Sequence, residues 1–468
     1  MQSRTVAVLT LALFSTLGMN AVEAEEASRA SWPSFRGPVH TGVAPGADPP
    51  IEWSESTNVR WKVELEGTGH ASPVIWGNRI YMMSSVKTEQ EVESSENHSG
   101  ESPILLASQQ TSESKAPPQQ QQRRRGNRPP RVTPTHVYRF TVSAHDLKTG
   151  ERIWNTVVRE EVPHESLHST ASQVSASPVT DGKHIWAFFG SRGLYCLDMK
   201  GKVKWKVQFG VQNTRNEFGE GASPAVHGDL VVINWDHEGD SFLAALDKKT
   251  GEERWRVARD ERTSWSTPLV VRDGDRDVVV VSATARVVGY DLDSGKEIWS
   301  VSGLGVNAIP TPVADDETVW VMSGYRDPRG MAIRYRGAQG DLTGTEHISW
   351  ETDRGLSYVP SAVLVGGRVF FFQRFSGILS CYELSSGNAC YDQQRIEGYE
   401  DIYASLVAAK DRVYSVSRDG SAVVFRASGD FEILARNELD DVFNATPAIV
   451  GDTIVLRGDR YLYSIGAE

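Results

Sequence analysis

The chain has 468 residues, 49 Lys and Arg against 61 Asp and Glu, and a formal net charge of -12. With 39% hydrophobic and 24% charged residues it has a globular balance, which excludes wholesale disorder and a collagen-like fibre. Three cysteines are too few for a disulfide scaffold, and the acidic balance argues against a general nucleic-acid binder.

The N-terminus reads as an export signal. Arg4 precedes an apolar run from Val6 to Leu17, and Val22-Glu23-Ala24 offers a cut site. This pattern predicts a secretory signal peptide over residues 1–24, because the run is too short to span a membrane. No cysteine follows the cut, so no lipid anchor is expected, and no later run reaches spanning length. A periplasmic or secreted location follows. Residues 25–57 form a leader segment. After it, Asn58-Val59-Arg60-Trp61-Lys62-Val63 reads as a lone strand carrying Trp.

The rest of the chain repeats one unit. It begins with Ser/Thr-Pro at Ser72, Ser177, Ser223, Thr267, Thr311 and Thr446, with degenerate starts at Ser361 and Ser405. Each start opens a run of short apolar strands separated by turns. Between the last two strands stand Asp146-Leu147-Lys148-Thr149-Gly150, Asp247-Lys248-Lys249-Thr250-Gly251 and Asp291-Leu292-Asp293-Ser294-Gly295. Asp initiates such a turn by bonding local backbone, and Gly takes its positive φ. Four residues beyond each Gly comes Trp154, Trp255 or Trp299. No unit shows a 3.6-residue apolar period, so helical solenoids are excluded. Four strands in roughly 45 residues is the period of a propeller blade.

The expected fold is all-β: an eight-bladed β-propeller of four-stranded antiparallel blades over residues 58–466. The last unit ends one strand short, and the strand around Trp61 supplies the missing one. Trp61, Trp154, Trp205, Trp255, Trp299 and Trp350 fall on outer strands, where they are expected to dock neighbouring blades. Residues 87–135 interrupt blade one with a stretch rich in Ser, Glu, Gln, Pro and Arg, and they read as a disordered insertion.

Ala144-x-Asp146-x-x-Thr149-Gly150-x-x-x-Trp154 and Ala245-x-Asp247-x-x-Thr250-Gly251-x-x-x-Trp255 resemble the tryptophan-docking motif of eight-bladed quinoprotein-type propellers, the PQQ-like repeats. Trp32-Pro33-x-Phe35-Arg36-Gly37-Pro38, with Gly42 after it, resembles the leader of secreted bacterial members. The resemblance implies either quinone-cofactor dehydrogenases or non-enzymatic relatives such as BamB-like assembly factors.

The dehydrogenases resembled use an adjacent cysteine pair, a calcium ion and a base Asp. Here Cys196, Cys381 and Cys390 are not adjacent. Glu217, Glu220, Asn307 and Asn444 stand near inner strands without a calcium-ligand spacing. Trp235-Asp236-His237-Glu238 and the pair His164 and His168 read as solvated loops, and no metal site is expected. Asn97-His98-Ser99 and Asn444-Ala445-Thr446 fit the glycosylation sequon, as chance matches in a bacterial chain. Cys381 and Cys390 flank the turn Ser385-Ser386-Gly387. An even register would face them for a disulfide, whereas a bulged turn would offset them by one residue.

One face collects polar residues. The turns joining second and third strands carry Arg192, Arg286, Arg326, Arg374, Arg418 and Arg457. Just before the inner strands come His70, Glu220, Trp265, Asn307, Tyr358, Tyr403 and Asn444, which should ring the central funnel on that face. Arg recognises carboxylates and phosphates in a planar, bidentate way, and aromatic rings add contact area. The same arginines would also serve ion pairs between blades. The reading favoured is an exported, non-catalytic binding or scaffold protein, monomeric, acting on envelope or extracellular proteins or an anionic ligand. The alternative is a quinoprotein-type dehydrogenase with PQQ and calcium, or a small-molecule binder at the funnel.

Overall fold

In the computed structural model, residues 31–92 and 134–467 are described. The expected signal peptide at residues 1–24 lies outside them, as does most of the insertion. Eight sheets follow one another in a ring. Their inner strands are Val74–Trp76, Val179–Thr180, Ala225–His227, Leu269–Asp273, Val313–Ala314, Val363–Val365, Val407–Ala409 and Ala448–Val450, which open blades one to eight. Each blade is a four-stranded antiparallel meander, and three carry an added fifth strand. No helix of the described residues is long and apolar enough to cross a membrane.

Blade eight takes its outer strand from the other end of the chain. Val59–Glu64 pairs antiparallel with Tyr461–Ile465, which leaves no open edge between first and last blades. The Trp61 indole N–H donates to the Leu147 carbonyl at 3.0 Å. Its ring lies on Gly150 of blade one, where a Cβ would come within 2.6 Å. The same docking recurs from Trp154 to Met199, Trp205 to Lys248, Trp255 to Leu292 and Trp350 to Leu384. These rings are half-buried, and each stabilises the contact by about 25 cal/mol per Å² of apolar surface it removes from water.

Trp299 lies on an outer strand and joins a buried cluster with Val319, Val321 and Ile333 of blade five, but the contact lacks the Gly turn of the others. Blade five, its neighbour, lacks the Asp-x-x-Thr-Gly turn. Its connection instead sends Gly340–Asp341 alongside Trp299 as a parallel fifth strand of blade four. Trp299 is wholly buried and packs over Gly289 of its own sheet. It docks on no neighbouring Gly turn.

One expectation needs correction. The second strand of blade one runs to Glu91, pairing with His136–Asp146, so residues 87–91 are strand. Residues 93–133 of the expected insertion lie outside the described ones. Of the two registers the sequence left open for Cys381 and Cys390, the bulged one is found: Cys381 stands opposite Tyr391, and Cys196, Cys381 and Cys390 are free cysteines. Burial pushes the Cys196 thiol up to about 12 and raises that of Cys381 as well.

The leader fills the central channel from the face opposite the arginine-bearing turns. Ser31–Trp32 climbs antiparallel along the inner strand of blade one. Pro33 O accepts from Thr180 N of blade two, and Thr41 O from Leu364 N of blade six. Val43–Ala44 then descends parallel to the inner strand of blade seven. The turn between these legs explains the leader motif. A Cβ on Gly37 (φ +75) would come within 2.8 Å of the Trp32 ring, and one on Gly42 (φ +86) would meet the Arg36 guanidinium, so neither position admits a side chain.

Candidate binding face and central funnel

The eight repeat starts converge on the channel and bond to one another. Ser72 N donates to Ser177 Oγ at 2.9 Å, Ser177 N to Ser223 Oγ at 2.9 Å, and Ser223 N to Thr267 Oγ1 at 3.1 Å. Thr267 N to Thr311 Oγ1, Thr311 N to Ser361 Oγ, Ser361 N to Ser405 Oγ and Ser405 N to Thr446 Oγ1 continue the circuit. Thr446 N closes it onto Ser72 Oγ at 3.0 Å. A hydroxyl is needed at each start because it supplies the acceptor for the neighbouring blade's buried N–H.

These hydroxyls and Phe35, at the tip of the leader, form the floor of a funnel of about 230 Å³. His70, Glu220, Trp265, Tyr358, Tyr403 and Asn444 line it as the sequence led us to expect. Asn307 stands one layer behind and donates to the Tyr358 hydroxyl at 3.0 Å. Sequence reasoning missed Phe35, Phe218 and His168. Phe218 stacks on Trp265, and His168 meets Phe218 edge-on at 5.0 Å. Their position comes from long connections that carry no periodic signal.

The six arginines divide sharply. Arg192 is buried, bonded to Glu220 at 2.9 Å and near Glu161 at 3.4 Å. Arg286 pairs with Glu297 at 2.9 Å. Arg457 is buried and donates to the Ala71 and Met83 carbonyls and to Ser84 Oγ. Arg192 and Arg457 are buried and spent on partners inside the fold, whereas the Arg286 pair stays at the surface. Arg418 pairs with Asp401 at 3.0 Å and lies over Tyr403. Arg326 and Arg374 are exposed and have no carboxylate partner among the described residues.

Around those two runs an aromatic arc across blades five to seven. Tyr325 stacks on Tyr358 at 4.8 Å, Tyr358 meets Phe375 at 6.5 Å, and Phe375 stacks on Tyr403 at 5.8 Å. Arg326 lies over Tyr325. Arg374 occupies a left-handed backbone conformation, and its N–H is held by the Leu356 carbonyl at 2.7 Å. Its turn is therefore fixed by backbone contacts while its side chain projects outward.

Of the remaining polar candidates, Asp236 and His237 are buried, against the expectation of a solvated loop, while Glu238, His164 and His168 are exposed. Asp236 and Arg259 form a buried bidentate pair, and Asp236 also accepts from Ser264 Oγ. Burial works against the Arg259 charge, but Asp236 outweighs it and raises the pKa. His237 accepts from Asn213 N, and Glu238 from Thr263. His164 meets the Gln212 carbonyl and His168 meets Thr170, so this pair shares no ligand position.

The funnel also fails the donor test for a quinone held over calcium. Glu220 is spent on Arg192, Ser191 N and Ser191 Oγ. Glu217 accepts from Ser166 Oγ. No group of three His, Cys, Asp or Glu converges among the described residues, whereas calcium takes six to eight oxygens. Cys196 and Cys381 sit inside blades.

His70 is uncharged at neutral pH. Burial is the main cause, and Arg457 and Arg418 add to it, holding the pKa down at about 3. Its 3.9 Å contact with Asp459 is therefore not an ion pair at neutral pH. An unfolded His takes up a proton near pH 6.5. The stabilising effect of keeping His70 neutral is thus complete above pH 6.5 and is lost as pH falls from there toward 3. Stability to urea should decline over that window by up to about 1.4 kcal/mol per pH unit for this group. A His70→Gln variant should show a shallower decline, and an unchanged slope would refute the assignment.

An all-β ring of eight blades with tryptophans docked on Gly turns has the fold of PQQ-like propellers. The family model described as Outer membrane protein assembly factor BamB matches residues 43–239 and 239–465, and the chain belongs to this family. No match was found among curated proteins. Among solved structures, it is similar to the quinohemoprotein alcohol dehydrogenase of Comamonas testosteroni, at 12% identity and a TM-score of 0.58, covering 95% of this chain and 84% of that one. A europium-containing methanol dehydrogenase gives 10% identity and a TM-score of 0.58, covering 95% and 100%. BamB from Moraxella catarrhalis gives 16% identity and a TM-score of 0.41, covering 62% and 96%. At these identities the likeness is one of fold.

Proposed function

We propose that this chain is an exported binding scaffold that takes an acidic segment of an envelope or extracellular partner protein on the arc of blades five to seven. One observation carries the reading. Arg326 and Arg374 are exposed and have no carboxylate partner among the described residues, beside a run of stacked rings that includes the 38%-exposed Phe375. Arginine and aromatic side chains fixed by their surroundings are the residues that dominate interface energies. Guanidinium groups not already paired are free to take carboxylates in bidentate fashion. Membership of a family described by an assembly factor agrees with a protein partner. Export rests on the sequence of residues 1–24.

The second reading, a small-molecule site, rests on the funnel itself, which is closed below by Phe35 and ringed by hydroxyl groups. Adding quinone and calcium to the purified protein and following absorbance separates the two. No stoichiometric uptake is expected, and uptake at one equivalent would overturn the scaffold reading.

A further inference from the structure

Among the described residues four arginines are almost wholly buried, and three of them are well supplied with partners. Arg192 has Glu220 and Glu161, and Arg259 has Asp236. Arg457 has two carbonyls and a hydroxyl, with Asp459 near enough to favour its charge. Arg36 is the exception. Its Nη2 donates to the Leu406 carbonyl at 3.0 Å and to the Ala362 carbonyl, and no carboxylate pairs with it. Nε and Nη1 are buried with no acceptor. A buried guanidinium without a counter-charge is among the costliest arrangements a fold can hold. Burial alone, with no opposing negative charge, pulls its pKa down to about 9.

The surroundings are mostly apolar, from Phe35, Val179, Val226 and Leu269 among others, with a few polar groups set among them. Arg36 borders a small cavity of about 20 Å³ in the channel, together with Ser34, His40, Thr267 and Thr311. Thr267 Oγ1 and Thr311 Oγ1 each accept a backbone N–H in the hydroxyl ring, and neither hydroxyl proton has an acceptor there. Nothing acidic lines this space. Its volume exceeds the minimum of about 10–15 Å³ for one water-sized occupant, and it is far too small for a phosphate ester or a carboxylate-bearing metabolite.

We propose that the channel holds one monovalent anion of halide size, chloride in solution, bound against Arg36 and the hydroxyls of Thr267 and Thr311. The anion joins the leader to blades four and five. The Arg36 Nη2 bonds already join it to blades six and seven. It supplies the missing counter-charge and locks the plug in the ring. Sulfate and gluconate are too large to enter. The proposal is independent of any partner at the outer face.

The test uses the full chain exchanged into sodium gluconate and titrated with sodium chloride or bromide at constant ionic strength. A saturable rise in Tm of several degrees is expected with either halide and not with sulfate, because a ligand of the folded state alone stabilises it by mass action. Arg36→Gln should abolish the halide dependence. If that variant does not fold, crystals of the unaltered protein grown in bromide decide the matter. Anomalous density beside the guanidinium supports the proposal. Coincident chloride and gluconate curves, or bromide crystals without that density, would overturn it in favour of a water molecule.

Discussion

Trp32→Ala should cost about 3–5 kcal/mol of folding stability, the loss seen when a large buried aromatic residue is truncated. Trp32 is 0% exposed and belongs to an apolar cluster containing Ile75 of blade one, Val407 of blade seven and Ile449 of blade eight. Its ring is also the surface over which the chain turns at Gly37. Truncation therefore removes the contact between leader and ring together with the support of the Phe35 floor. Urea denaturation of the purified variant measures the loss. A change below about 1 kcal/mol, the size of an ordinary surface substitution, would mean that the leader does not hold the ring.

Asp236→Ala should be as damaging, at about 3–5 kcal/mol, because it leaves a charged partner buried and unpaired. Arg259 would keep only the Tyr290 hydroxyl at 2.7 Å among its side-chain partners. The double variant Asp236→Leu, Arg259→Met should recover most of the loss, since a buried pair replaced by apolar groups of similar volume is often neutral. Equal losses in single and double variants, read from the same urea curves, would contradict a pairwise origin.

The ring was legible because its determinants are local and repeated. Asp146 and Gly150 specify a turn wherever they fall, and the solitary strand around Trp61 has one place to go. The leader was not legible as a plug. Residues 31–57 show neither strand nor helix period, and their order comes from partners hundreds of residues away, such as Ala362 and Leu406. Trp299 shows a related effect: it packs between blades as the other tryptophans do, but how it does so depends on the missing turn of the next blade. The arginines share one turn position, yet the carboxylates that occupy Arg192 and Arg286 stand on other strands and loops. Position in the repeat places an arginine on the outer face. Only the packed fold shows whether its charge is already answered. The eight Ser/Thr starts were visible as a repeat, but the circuit they form exists only once blades are side by side.

The central claim is that the arc of blades five to seven binds a partner protein. Its most direct test is quantitative capture from the native envelope with three proteins: the unaltered chain, an arc variant carrying Arg326→Ala, Arg374→Ala and Phe375→Ala, and a control altered on the opposite face at Asp181→Ala and Lys200→Ala. The unaltered chain and the control should retain the same protein at a fixed stoichiometry. The arc variant should lose it by about 30-fold or more, as expected for removal of hot-spot residues worth at least about 2 kcal/mol, with its melting temperature unchanged. Equal retention by all three would contradict the account.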